Sequence, residues 1–113
     1  MATAPLPDLD IEKLQQACRR RVPEQLKDEI RLEVTARGKR VSIHEQRPVW
    51  HAASGDWTSM PIAQLRYEGH GLWTLYAGDS NGKWHQYSDL EPRQPIDIIV
   101  DELDTDPTGV FWG

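Results

Sequence analysis

Apolar residues recur at helical spacing near both ends of the chain. Ile11, Leu14 and Cys18 lie three or four positions apart, which predicts an amphipathic helix that ends before Pro23. A second helix is predicted after Pro95, a residue that suits the first turn of a helix. Its apolar stripe consists of Ile96, Ile99, Val100 and Leu103.

Between these helices, apolar and polar residues alternate with the period of two that is typical of half-buried strands. Residues 30–47 predict a β-hairpin in which Gly38 begins a tight turn. Residues 48–61 form an irregular stretch with Trp50 and Trp57, which we expect to be pinned on the core. Residues 62–87 then predict a three-stranded meander, with strands at 62–67, 73–77 and 83–87.

These elements predict an α+β fold. Its five-stranded antiparallel sheet, a hairpin plus a three-stranded meander, carries the N-terminal and C-terminal helices packed on one face. The length of 113 residues suits a single domain over residues 1–113. Within it, residues 1–7 are expected to form an extended arm, and residues 110–113 an aromatic tail packed on the domain.

The alternation also defines the residues of the outer face of the sheet, away from the helices. We pair Leu65 with Leu75 and Ala63 with Ala77, because this register matches apolar side chains. A four-residue second loop then places His85 opposite Tyr76, and it turns Trp73 and Trp84 toward the core. The resulting outer face suits an anionic or polar ligand. The candidate binding residues are Arg66, Tyr76, His85, Tyr87 and His44.

Charge is unevenly distributed in a chain whose net charge is −5. Residues 19–47 contain nine basic and five acidic residues, whereas residues 88–113 contain one basic and seven acidic residues. The basic part either holds an anion or is neutralised by the acidic part, within the monomer or across a dimer. The candidate partners are therefore another protein, a second copy of the chain or a small anionic ligand, and the negative net charge disfavours nucleic acid.

No catalytic or metal-binding motif is present in recognisable spacing. The four histidines form no metal-ligand pair, and no serine lies in a Gly-x-Ser-x-Gly turn. The acidic turn at 104–109 resembles the start of a phosphatase or EF-hand motif, but the chain lacks the downstream residues that either needs. We therefore expect no metal, no cofactor and no membrane partner, and the lack of a signal peptide or apolar span predicts a cytoplasmic location.

The leading interpretation is a non-enzymatic binding or protein-interaction module that uses the outer polar face of the sheet. One alternative is a small enzyme that uses His85, Tyr76 and Arg66 on an anionic substrate, since a histidine can exchange protons near neutral pH. A third, weaker alternative is a nucleic-acid-binding sheet.

Several segments together resemble one known family. They include 21–23, 61–67 and 73–76, and the most distinctive is the closing Asp-Pro-Thr-Gly-Val-Phe-Trp-Gly at 106–113. These segments resemble a small bacterial family catalogued only as domain of unknown function 3024. The resemblance covers nearly the whole chain and implies a bacterial source, but it implies no activity and supplies no catalytic residues.

Overall fold

An antiparallel sheet and two α-helices make up the fold. The computed structural model describes residues 6–49 and 55–113. Strands β1 to β5 lie side by side in chain order, and the short β6 pairs with β4. The predicted α+β fold is therefore confirmed, with β6 as an unpredicted addition. The elements are α1 (Asp8–Arg21), a short 3-10 helix (Glu24–Leu26), β1 (Arg31–Arg37), β2 (Arg40–Pro48), β3 (Trp57–Gly69), β4 (Leu72–Gly78), β5 (Trp84–Gln86), β6 (Gln94–Pro95) and α2 (Ile96–Thr105).

The core lies between the sheet and the two helices. Most residues of the predicted helical stripes are buried there, including Leu14 and Cys18 of α1 and Ile99 of α2, and Ile11 and Val100 are partly buried beside them. Trp73 is only 1% exposed, and its indole Nε1 donates a 2.9 Å hydrogen bond to Asp10 Oδ2 in the first turn of α1. Neither α1 nor α2, the α-helices among the described residues, is long and apolar enough to cross a membrane.

The central register of the sheet is the predicted one. Leu65 pairs with Leu75 and Ala63 with Ala77, and all four are buried beneath the helices. A slip of one residue would turn these side chains toward the outer face, so their burial specifies the pairing of β3 with β4. Gly38 begins the β1–β2 turn with a φ of 60°, as the predicted tight turn requires.

The C-terminal tail packs on the domain, as predicted. Asp106 follows α2 in the left-handed conformation, and its carboxylate accepts hydrogen bonds from the backbone N–H groups of Phe111 and Trp112 at 3.2 and 2.8 Å. Phe111 is buried against the ring of Tyr87. Trp112 Nε1 donates to the carbonyl of Leu103 at 2.8 Å. The distinctive closing motif is thus a turn that seats two aromatic side chains.

The prediction of an irregular stretch at 48–61 is wrong for its second half. Strand β3 begins at Trp57, so β2 and β3 form a long hairpin that continues to the pair Pro48 and Trp57. Pro61 lies inside β3 beside a bulge that disrupts the pairing with β2, which explains how the strand tolerates a proline. Residues 50–54, with Trp50 and His51, lie outside the described part of the chain.

The predicted register of the fifth strand is also wrong, by one residue. The loop before β5 spans residues 79–83 rather than four residues, because Asp79 closes it: the Asp79 carboxylate accepts from the backbone N–H groups of Asn81 and Lys83 at 2.8 and 3.0 Å. Trp84 therefore pairs with Gly78, and Gln86 pairs with Tyr76. Since side chains alternate between the faces of a sheet, every residue of β5 faces the side opposite to the one predicted.

Candidate functional site: the outer face of the sheet

Arg66 and Tyr76 lie together on the outer face, as predicted. The guanidinium carbon of Arg66 lies 3.8 Å from the centroid of the Tyr76 ring. Arg66 Nε donates a 2.9 Å hydrogen bond to Gln64 Oε1, and Gln64 Nε2 donates at 3.0 Å to Ser42 Oγ. Gln64 is only 5% exposed, although it lies on the face away from the helices. This chain of contacts across three strands holds the Arg66 guanidinium in a defined position.

His44 lies on the same face, next to a residue that the sequence analysis placed in the core. The ring of His44 meets Trp84 edge-on, with 6.1 Å between the ring centroids. Trp84 reaches this face because the five-residue loop reverses the orientation of β5. The outer face therefore gains an indole that the predicted register excluded.

Tyr87 and His85 are not part of this surface, which corrects the predicted site. Tyr87 is 6% exposed on the core side, and its hydroxyl donates to Glu102 Oε2 at 2.7 Å. Burial raises the pKa of the Tyr87 phenol above its ordinary value. His85 pairs with Ala77 rather than with Tyr76, so it projects from the opposite side of β5.

The side chain of His85 is engaged with the loop that precedes β5. Its Nε2 lies 2.6 Å from Asp79 Oδ2. This hydrogen bond, together with those from the Asn81 and Lys83 backbones, holds the pKa of the Asp79 carboxyl below its ordinary value. The predicted enzymatic trio is therefore not assembled on one face: Arg66 and Tyr76 are in contact, and His85 faces away from them.

Three arginines form a row directly across β1, β2 and β3 on the outer face. Arg37 is the cross-strand partner of Arg40, and Arg40 is the partner of Arg66. We call these three residues the arginine row. The two-residue turn at Gly38 already implies the pairing of Arg37 with Arg40, but the pairing of Arg40 with Arg66 depends on the β2–β3 register. Of these three arginines, only Arg66 is among the binding residues predicted from the sequence.

Among the described residues, no carboxylate forms an ion pair with the arginine row. Within residues 6–49 and 55–113, the Arg37 and Arg40 side chains make no ion pair or hydrogen bond, and Arg66 makes only its contacts with Gln64 and Tyr76. The acidic C-terminal segment is instead paired with α1, through Lys13–Asp97 at 3.1 Å and Arg20–Asp104 at 3.5 Å. These C-terminal carboxylates therefore do not neutralise the arginine row.

A third aromatic group lies at the far end of the same face. Arg31 of β1 lies over the indole of Trp57, with its guanidinium carbon 3.8 Å from the ring centroid. Trp57 shares the outer face because it pairs with Pro48, six positions from Ser42 on the same strand. Trp57 therefore packs against an arginine on the outer face. The prediction that Trp57 packs on the core is wrong.

The opposite, helix-bearing side has a cleft of about 220 Å³ beside the C-terminal end of α1. Two arginines line it, but both are already engaged. Arg47 Nε donates to Glu45 Oε1 at 2.8 Å, and the Arg21 guanidinium carbon lies 4.3 Å from the Trp112 ring centroid. These contacts make the cleft a weaker anion site than the arginine row.

The chemistry available on the outer face is the binding of anions and flat rings. Within the described residues, the pairing and contacts place four arginines and two glutamates on this face, and one of the glutamates, Glu68, accepts a hydrogen bond from Thr74 at 2.7 Å. No group of three or more His, Cys, Asp or Glu within the described ranges is arranged to hold a metal ion. Guanidinium groups bind carboxylates and phosphates in a bidentate manner and keep their protons near neutral pH.

Comparison with known proteins identifies the family. A family model described as a domain of unknown function (DUF3024) matches residues 1–113, the whole chain. The chain belongs to this family. No match was found among curated proteins or among solved structures. The DUF3024 assignment agrees with the resemblance carried by the closing motif, whose structural role is to seat Phe111 and Trp112.

Proposed function

We propose that this DUF3024 chain is a non-enzymatic binding module that takes an anionic ligand or partner on the outer face of its sheet. The observation that carries the proposal is the arginine row, formed by Arg37, Arg40 and Arg66. Like charges directly opposite each other on neighbouring strands destabilise a sheet. A bound anion would turn this repulsion into attraction at all three positions.

The geometry of Arg66 further supports binding. Its Nε and its flat surface are occupied by Gln64 and Tyr76, whereas its two terminal nitrogens make no hydrogen bond with the described residues. Part of the cost of ordering this side chain is therefore met before a ligand arrives. The row spans two strand spacings, about 10 Å, on an open sheet surface, which suits an extended ligand. A cytoplasmic location remains part of the proposal and agrees with the single free, buried Cys18.

The proposal is tested by removing charge from the row and, separately, from the helix side. The test variant carries Arg37→Ala and Arg40→Ala. The matched control carries Arg19→Ala and Lys27→Ala, which change the net charge by the same amount as the test variant. Arg19 lies in α1, and Lys27 directly follows the 3-10 helix. With heparin as the polyanion probe at low ionic strength, we expect the wild type and the control to bind similarly. The row variant should elute from heparin at clearly lower salt.

An equal shift for the two double variants would contradict the proposal, because binding would then follow net charge rather than the row. Circular dichroism and thermal unfolding check that both variants are folded. We expect the row variant to be at least as stable as the wild type, because it removes like-charge contacts across strands.

A further inference from the structure

The outer face combines its positive charge with three aromatic rings. Tyr76, Trp84 and Trp57 project from β4, β5 and β3 on this side of the sheet. Each has a cationic or imidazole neighbour: Arg66 lies over Tyr76, His44 meets Trp84, and Arg31 lies over Trp57. We call these three residues the ring set. An acidic partner alone would need the guanidinium groups, but it would not use flat rings spread along the same face.

We infer that the ligand of this face is single-stranded nucleic acid, with its phosphates on the arginine row and its bases on the ring set. The inference rests on the proposed function and names the ligand class. Sheet surfaces bind single strands in this way, because base stacking on aromatic side chains is tolerant of sequence and the basic groups follow the backbone. A duplex fits poorly, since its bases are stacked inside and its major groove admits a helix or a two-stranded ribbon rather than a broad sheet.

The net charge of −5 does not oppose this binding, because the charge is separated between the two sides of the protein. Helix α2 carries four carboxylates and no basic residue, and it packs on the core side of the sheet. Two of its carboxylates are paired with Lys13 and Arg20 of α1. The other carboxylates of α2 act on the outer face only across the sheet, and salt screens them over a Debye length of about 8 Å at physiological ionic strength. A strand on the outer face therefore meets mainly the arginines.

The experiment measures the binding of fluorescein-labelled oligothymidylate of about twelve nucleotides, a length within the range of known single-strand sites. A duplex of equal length and heparin, a polyanion without bases, are the comparison probes. We expect the single strand to bind more tightly than the duplex. The slope of log K against log salt should be about −2 for three phosphate contacts, and Arg40→Ala should reduce its magnitude by about 0.7.

The ring set is tested by matched substitutions. Tyr76→Leu should weaken oligothymidylate binding by about five-fold or more and heparin binding by less, since it also removes the contact that orders Arg66, and Tyr76→Phe should keep both affinities. Trp84→Leu should behave like Tyr76→Leu toward oligothymidylate. Because Tyr76 also contacts Arg66, Trp84→Leu is the cleaner variant: the Trp84 ring meets His44, and the affinity of Trp84→Leu for heparin should be unchanged.

The outcomes separate this inference from the proposed function. If oligothymidylate and heparin both depend on Arg40 but neither depends on Tyr76 or Trp84, the anion-binding face stands and the nucleic-acid inference is overturned. The same holds if an acidic peptide or the duplex binds more tightly than the single strand. If Arg40→Ala affects no probe more than Arg19→Ala does, both proposals are overturned.

Discussion

Replacing Asp106 by alanine should release the C-terminal tail. The Asp106 carboxylate accepts hydrogen bonds from the backbone N–H groups of Phe111 and Trp112 at 3.2 and 2.8 Å, and Asp106 itself has a φ of 42°. Hydrogen bonds to a charged group are each worth about 1.5–3 kcal/mol, and we use the lower end because Asp106 is only partly buried. Alanine in the left-handed region adds about 1 kcal/mol. We therefore expect the free energy of unfolding to fall by about 4 kcal/mol.

Chemical denaturation and thermal unfolding measure this change. For a chain of this size, each kcal/mol corresponds to about 4 °C, so Tm should fall by about 15 °C. Asp106→Asn tolerates the left-handed backbone and keeps one acceptor oxygen, so it should lose about half as much.

Asp104→Ala is the control for this prediction. It removes an exposed carboxylate of α2 that is paired with Arg20, and such surface pairs are worth about 1 kcal/mol or less. If Asp106→Ala destabilises the protein no more than Asp104→Ala, the carboxylate does not seat the tail and our reasoning fails.

Three further predictions follow from the core, the buried thiol and the loop before β5. Leu65→Ala should cost about 2–5 kcal/mol because Leu65 is fully buried, whereas Arg66→Ala should cost much less; equal losses in denaturant titrations would contradict the β3–β4 register. Burial raises the pKa of the Cys18 thiol to about 11, so maleimide should label it at neutral pH only when denaturant unfolds the protein, and rapid native labelling would show that the thiol is accessible. The hydrogen bond from His85 lowers the pKa of the Asp79 carboxyl. The ionised Asp79 therefore stabilises the folded protein above about pH 4, and this stabilisation is lost as the pH falls through the lowered pKa. His85→Ala should raise the Asp79 midpoint in an NMR titration, and an unchanged midpoint would refute this coupling.

The sequence by itself determined the elements with strong apolar contrast. The stripe of α2 and the pairing of Leu65 with Leu75 follow from burial, because another helical phase or a one-residue slip of the register would expose apolar side chains to water. The tail was also predictable, since two aromatic side chains in the closing motif favour packing on the domain. Arg66 and Tyr76 of the candidate site follow from the same register.

The tertiary structure decided the orientation of β5 and therefore the composition of the site. The segment 84–87 has aromatic residues on both sides of its alternation, Trp84 in β5 and Tyr87 just after it, so its own pattern does not indicate which side is buried. The orientation of β5 is set by the hydrogen bonds that the Asp79 carboxylate accepts, because they close a loop of five residues. One added residue reverses both faces of a strand, so it buries Tyr87 and places the half-buried Trp84 on the outer face beside His44.

The arginine row also needed the tertiary structure. Arg37 and Arg40 are neighbours through a two-residue turn, and this pair can be read from the sequence. The pairing of Arg40 with Arg66 depends on a hairpin that includes a bulge beside Pro61 and a connection whose length in residues does not specify the register. A shift of one residue there would have placed Arg66 on the core face. The long-range pairing of β2 with β3 therefore brings three like charges together. The burial of the apolar residues on the core face outweighs the repulsion between these charges, which by itself disfavours this register.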